Sequence, residues 1–329
     1  MPKNATQHST TEKMWLLSDK LGRDLVIGKG MDEILDIQLA REGLVTRTNF
    51  SRLGYERIIR GVYGRVARDE WLNEWERQRQ EFFSRLHATV VAYQHKKAVL
   101  YGSTALQALG VALPRRLEDW ESCHLLVPRG VTRPVRNGVT IHQARCDPQV
   151  WRCVGELPVL NPVEHWIQVR GATDSEFIQI GEGLVRRQSP LLTIDEMGEE
   201  ISRLANIHGI KQARRVMKWI RPNTDSITES ITRQILMWSG LPEPLVNLEV
   251  YCRAADRTYH LDMGYDKQKL GIEYDGAVHV GNRDQMEIDA IRRRHLQDEG
   301  WQIITVTATQ LRAPESFTNS VKLALQTRR

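Results

Sequence analysis

The chain has 329 residues, of which 41% are hydrophobic and 26% charged, with a formal net charge of +5. That length exceeds one typical domain, and the apolar content is ample for folded cores, which excludes a generally disordered chain. No apolar run reaches the roughly 20 residues of a membrane span, the first residues are polar, and the four cysteines fall in no metal-ligand spacing, so a cytoplasmic protein with no membrane partner and no structural zinc is expected.

Charge is unevenly placed. From Asn223 onward 13 Lys and Arg stand against 15 Asp and Glu, leaving 33 against 26 in the residues before it. The positive excess therefore lies upstream, where it can grip phosphates or simply face solvent.

In chain order, Met31 to Arg41 places Ile34, Leu35, Ile37, Leu39 and Ala40 at helical spacing and predicts an amphipathic helix. Gly43-Leu44-Val45-Thr46 reads as a turn with Thr46 capping a second helix through Phe50 and Leu53. Tyr55 to Arg60 is expected as a third, arginine-bearing helix, and Gly61 to Arg65 as a small β-wing. Helix, turn, helix and wing is the layout of a winged helix-turn-helix. Gly43 to Thr46 and Arg60-Gly-Val-Tyr63 resemble the N-terminal domain of AbiEi-type antitoxins. On that reading Arg47, Arg52, Arg57, Arg60 and Arg65 contact DNA; the bland alternative is a packing or dimerisation module.

The middle of the chain carries less information. Tyr101 to Gly110 predicts a small-residue turn into a helix, and Cys123 to Pro128 and Gly138 to His142 predict strands. Leu157 to Pro162 leads into a helix from Val163 to Arg170. This order also resembles the AbiEi-like proteins. No paired acids follow Gly102-Ser103, which argues against nucleotidyl transfer, and His124 and His142 in apolar strands read as core histidines. Ile194 to Trp219 is expected as one or two helices, and Pro222 to Asp225 as a linker.

The last quarter is the most informative. Ser226-Ile-Thr-Glu229 has the spacing of a capping box and opens a helix that stops near Gly240-Leu-Pro242. Tyr259-His260-Leu261-Asp262 and Leu270 to Gly276 read as strands, so alternation would put His260 with Asp262, and Lys269 with Glu273 and Asp275. His279 follows, then a helix from Asp284 to Glu299 with Asp289 and Arg293 on one face, and a strand from Trp301 to Thr307. Acids at adjacent strand ends, backed by Leu270, Ile272 and Tyr274, suit a hard divalent cation; the plain alternative is a half-buried hairpin with a polar outer face.

Glu229-Ser-Ile-Thr-Arg233, Gly240-Leu-Pro, His260-Leu-Asp262, Ile272-Glu-Tyr-Asp-Gly276, His279, Asp289-Ala-Ile-Arg292 and Gly300-Trp301 together resemble the very-short-patch-repair-like endonucleases of the PD-(D/E)XK superfamily. The resemblance implies a restriction-endonuclease-like domain with Glu229, Asp262, Glu273 and His279 as catalytic residues. It assigns Asp262, Glu273 and Asp275 to Mg²⁺ or Mn²⁺, and Arg233, Asp289 and Arg292 to a scaffold or second shell. One departure stands out: the superfamily lysine two residues after the second acid is Asp275 here.

The expected architecture is α/β (α+β): an extension over 1–30, a winged-helix-like domain over 31–68, a mixed middle domain over 69–188, a helical linker over 189–222 and a nuclease-like domain over 223–329. The expected function is a metal-dependent DNA endonuclease or nickase with DNA, and a second copy in a homodimer, as partners. The competing expectation is an antitoxin-like transcriptional regulator whose nuclease fold no longer cuts. A structural partner in a defence complex is a third expectation.

Overall fold

The computed structural model describes residues 34–36, 56–59, 62–64, 73–93, 97–131, 136–144, 148–154, 157–275 and 283–328. It is a mixed α/β structure with two mixed sheets, and no described helix is long and apolar enough to cross a membrane. The chain divides into two compact units: residues 1–171 with 204–211, and residues 172–203 with 212–329. The second unit thus begins about 50 residues ahead of the expected boundary at 223 and takes in helices assigned by sequence to the middle domain and linker.

The first unit opens with a small antiparallel sheet, β1 (Ile34–Asp36), β2 (Glu56–Ile59) and β3 (Val62–Gly64), in the order β1-β3-β2. Two expectations are corrected here. The predicted helix over Met31 to Arg41 contains a strand, and the predicted third helix over Tyr55 to Arg60 is the strand leading into the hairpin. The adjacent β-branched pair Ile58-Ile59 favours extended backbone, and pairing with β3 supplies the hydrogen bonds a short helix would otherwise make internally.

A long helix α1 (Glu74–Tyr93) follows, buried along Phe82, Leu86 and Tyr93. Then come β4 (Val99–Leu100), α2 (Gly102–Ala108), β5 (Cys123–Val127), β6 (Val139–Gln143), the hairpin β7 (Arg152–Val154) and β8 (Leu157–Val159), and α3 (Pro162–Ile167). The strands form a five-stranded sheet in the order β6-β5-β4-β8-β7, parallel at β5/β6 and β4/β8 and antiparallel at the other two junctions. Asn161 caps α3, accepting from the Val163 N–H at 2.9 Å with Pro162 in the first turn.

The second unit starts with α4 (Asp174–Leu184), opened by a full capping box between Thr173 and Glu176. Next are α5 (Ile194–Arg203), α6 (Ile210–Val216) and α7 (Ile227–Trp238). Four strands follow: β9 (Leu245–Cys252), β10 (Arg257–Tyr265), β11 (Leu270–Asp275) and β12 (Gln302–Thr307). Helix α8 (Arg283–Asp298) joins β11 to β12, and α9 (Ala308–Arg312) and α10 (Glu315–Thr327) end the chain.

The sheet order is β12-β11-β10-β9, antiparallel except at β11/β12. A parallel pair needs a crossover, and α8 is that crossover. Met263, Leu270, Ile272 and Val306 pack on one face against Leu236 of α7 and Phe317 and Val321 of α10. Val250, Cys252 and Leu261 pack on the other against Leu296 of α8 and Trp301. Each fully buried aliphatic or Phe side chain contributes roughly 1.5–3 kcal/mol. Gly271 permits the close approach, since a Cβ there would sit 2.7 Å from both Ile303 Cδ1 and Leu261 Cδ1.

Candidate active site

Neighbouring residues Leu261 and Met263 belong to opposite faces of the sheet, so simple alternation fails at Asp262. Asn247, with a φ of +48, stands between the Val246↔Met263 and Leu248↔Leu261 pairs and breaks the pleat there. The expectation that His260 and Asp262 share an ordinary strand face is therefore corrected. The paired register of β10 with β11 runs from Tyr265↔Leu270 to Met263↔Ile272. Just past it, the Tyr274 N–H donates to Asp262 Oδ2 at 2.8 Å, so a side chain takes the place of a ladder carbonyl where the strands part.

Glu273 lies in the same opening, on β11. Arg292 of α8 grips it through both nitrogens: Nη1 donates to Oε2 at 3.0 Å and Nη2 to Oε1. Nη2 also donates to the His260 carbonyl at 2.7 Å. Asp289, a turn earlier on the helix, adds its negative charge to the field at Arg292.

Glu229 enters from α7. Its Oε2 accepts the Asp225 N–H at 3.0 Å and its Oε1 the Ser226 hydroxyl at 2.8 Å, while Ser226 Oγ accepts the Glu229 N–H at 3.1 Å. The capping role anticipated for Glu229 is thus present, displaced by one residue at the backbone donor. Burial pushes its carboxyl up to about 7, the Asp225 amide works against that shift, and the negative charge of Asp262 adds to it. Asp262 is raised as well, by burial first, against the pull of the Tyr274 amide, with the charges of Glu273 and Asp225 adding to the rise.

Asp225 is the acid the sequence reading missed, having been placed in a linker. Its charge reaches both Glu229 and Asp262, and Arg187 holds it, with Nε 2.7 Å and Nη2 2.5 Å from Oδ2. An Asp immediately before the capping Ser226 and four residues ahead of Glu229 was the available signal. Four carboxylates, Asp225, Glu229, Asp262 and Glu273, therefore share this region with two guanidinium groups, Arg187 and Arg292. Glu229 and Asp262 are raised, by burial first and by the neighbouring negative charges after it.

The remaining expected residues fall elsewhere. Asp275 is exposed at the end of β11, opposite Thr307. Lys269 has a φ of +46, outside the strand alternation, and its Nζ donates to the Glu299 carbonyl at 2.6 Å. Arg233, expected as a scaffold or second-shell residue, is buried: Nη2 meets Glu182 and the Trp219 carbonyl at 2.6 Å, and Nη1 meets Glu243 at 2.8 Å. His279, Arg47, Arg52, Arg60 and Arg65 lie outside the described residues, and Arg57 is exposed on β2. Among the described residues no three of His, Cys, Asp and Glu are grouped so as to hold a metal ion as the side chains lie. Asp262 and Glu273 nonetheless offer the oxygen donors that Mg²⁺ and Mn²⁺ prefer, in a region short of positive charge.

No family model matches the chain. Two uncharacterized Mycobacterium tuberculosis proteins, Rv2248 of strain H37Rv and MT2308 of strain CDC 1551, are each 24% identical to it over 228 residues, spanning 65% of this chain and 78% of theirs. The crystal structure of RV2827C protein from Mycobacterium tuberculosis aligns with 75% of this chain and 91% of its own at 11% identity, with a TM-score of 0.37.

Proposed function

We propose that this chain is a metal-dependent DNA endonuclease or nickase whose chemistry is carried by Asp262, Glu273 and Glu229. The supporting observation is the gathering of half-buried, mutually repelling carboxylates from three separate elements at the point where β10 and β11 diverge. A fold does not need such a concentration of like charge, whereas phosphodiester hydrolysis uses it to collect cations. When bound, a Mg²⁺ or Mn²⁺ ion would polarise the scissile phosphate and acidify a water molecule. Asp262 and Glu273 would hold that ion, and the Tyr274 amide fixes the orientation of Asp262 beforehand.

Glu229, with its carboxyl near 7, can accept or release a proton at neutral pH and serves as the acid/base group of the described residues. His279, just past β11, is the proposed donor to the leaving oxygen. The basic excess ahead of Asn223 and the exposed Arg57 supply phosphate contacts that carry no sequence information.

A second reading has its own observation. Arg292 already neutralises Glu273 without a metal, as a DNA-binding regulator with a retired nuclease site would require. Nicking of supercoiled plasmid with Mg²⁺ or Mn²⁺, beside Asp262→Ala and Glu273→Ala, separates the two. Metal-dependent nicking by the wild type, lost in both variants, is the expected result. Absence of nicking at concentrations that shift DNA on a gel would leave the regulator.

A further inference from the structure

Arg292 is held more elaborately than a helix brace requires. Three of its contacts are acceptors at the mouth of the strand opening: both oxygens of Glu273 and the His260 carbonyl. Its guanidinium also lies over the Tyr259 ring, 5.8 Å from the centroid, and the Tyr259 hydroxyl is 2.8 Å from His295 Nδ1 on the same helix. Burial disfavours the charge on Arg292, but Glu273, followed by Asp262 and Asp289, outweighs it. The result is a permanently charged, half-buried fork aimed at the acids.

Both Glu273 oxygens are engaged by this fork. A hard divalent ion needs at least one of them, so ion and guanidinium compete for one carboxylate. The same planar donor geometry that matches a carboxylate matches a phosphate. Two other cations already have acceptors of their own: Arg187 holds Asp225, and Lys269 the Glu299 carbonyl. Asp275, two residues beyond Glu273, brings a further negative charge to the end of the same strand.

We infer that Arg292 is a resident counter-cation of the acidic site, which yields Glu273 to the divalent ion and then receives the backbone phosphate of the nucleic acid. This rests on the nuclease reading and adds an exchange of partners to it. A purely bracing arginine would keep Glu273 in position and so favour ion binding; a competing arginine opposes it. The two roles differ in sign.

The test uses the full chain with Arg292→Gln and Arg292→Lys, measuring Mn²⁺ affinity by electron paramagnetic resonance and plasmid nicking in parallel. Arg292→Gln should bind Mn²⁺ at least about fivefold more tightly than wild type, and nick at least about a hundredfold more slowly. Arg292→Lys keeps the charge without the fork, and should lie between the two in both measurements. It carries the test alone if the Gln variant melts early. Weaker Mn²⁺ binding in both variants, falling together with nicking, would make Arg292 a brace and overturn the inference. Wild-type nicking matched by Arg292→Gln would also overturn it, while leaving the nuclease reading intact. If neither wild type nor variant binds Mn²⁺ or nicks, the nuclease reading fails, and the inference with it.

Discussion

The two units each lay helices on a mixed sheet, yet they treat buried ionisable groups in opposite ways. In the first, His165 is completely buried in α3 as a neutral ring, its Nε2 accepting the Leu160 N–H at 3.0 Å, and burial pushes it down to about 3. His124 and His142, on the adjacent parallel strands β5 and β6, approach to 3.0 Å, and Asp119 takes the far nitrogen of His124 at 3.2 Å. His124 and His142 are half-buried and partnered, whereas the Nδ1 of His165 is buried with no hydrogen-bond partner. In the second unit carboxylates face one another, and part of their charge is left to two arginines. The histidines of the first unit rest on local hydrogen-bond partners, whereas the acids of the second lie beside like charge.

The largest expected effect breaks the comparison at its chemical end. Asp262→Asn should reduce metal-dependent nicking by at least about a hundredfold, whereas His124→Gln should leave it within about twofold, since no step is assigned to that ring. Equal losses in a plasmid assay would mean that the first unit takes part in the chemistry.

Acid sensitivity is the next contrast. The unfolded chain protonates His165 below about pH 6.5 while the folded first unit resists it. Its stability is therefore full above that pH and falls as pH drops toward 3, by on the order of 5 kcal/mol. Glu229 acts the other way. The folded second unit prefers its carboxyl protonated, so without metal that unit gains stability as pH falls from about 7 to 4.5, on the order of 3 kcal/mol. Hydrogen exchange followed by mass spectrometry reads the two units separately, and Glu229→Gln should flatten the second slope only.

A buried pair in the second unit gives an effect of comparable size with no bearing on chemistry. Arg233 and Glu182 are each about 1% exposed, and removing Arg233 strands the buried carboxylate of Glu182. Arg233→Met should cost about 3–5 kcal/mol in urea unfolding, and the Glu182→Leu/Arg233→Met double variant should recover most of that loss. The smallest change tests the packing behind the opening: Gly271→Ala should cost about 1–3 kcal/mol, because Ile303 and Leu261 must give way. A neutral result would show that these side-chain ends move freely.

Much of the second unit was legible because its signals are local. Ser226 before Glu229, Gly300 after the helix, and the β-branched run Ile303 to Thr307 each announce an element without knowledge of its neighbours. The strand β9 was missed, although Leu248, Val250 and Cys252 alternate, because Asn247 and the exposed Leu245 and Tyr251 blur the pattern. The helix expected over Tyr55 to Arg60 is a strand because it pairs with the adjacent β3, a hairpin for which the β-branched pair Ile58-Ile59 was the available signal. The site was legible as to Asp262 and Glu273 and not as to Asp225 and Arg187. Those two meet across 38 positions of sequence, with the helices α5 and α6 between them, so only the packing of those helices brings them together.

Glu229 does two jobs with one pair of oxygens: they secure the first turn of α7 through the Asp225 amide and the Ser226 hydroxyl, and they border the acidic site. Protonating the carboxyl weakens its hold on that amide. The exchange rate of a single backbone proton, the N–H of Asp225, is therefore a natural indicator of the charge on Glu229, quickening relative to an unprotected amide as the carboxyl takes up a proton.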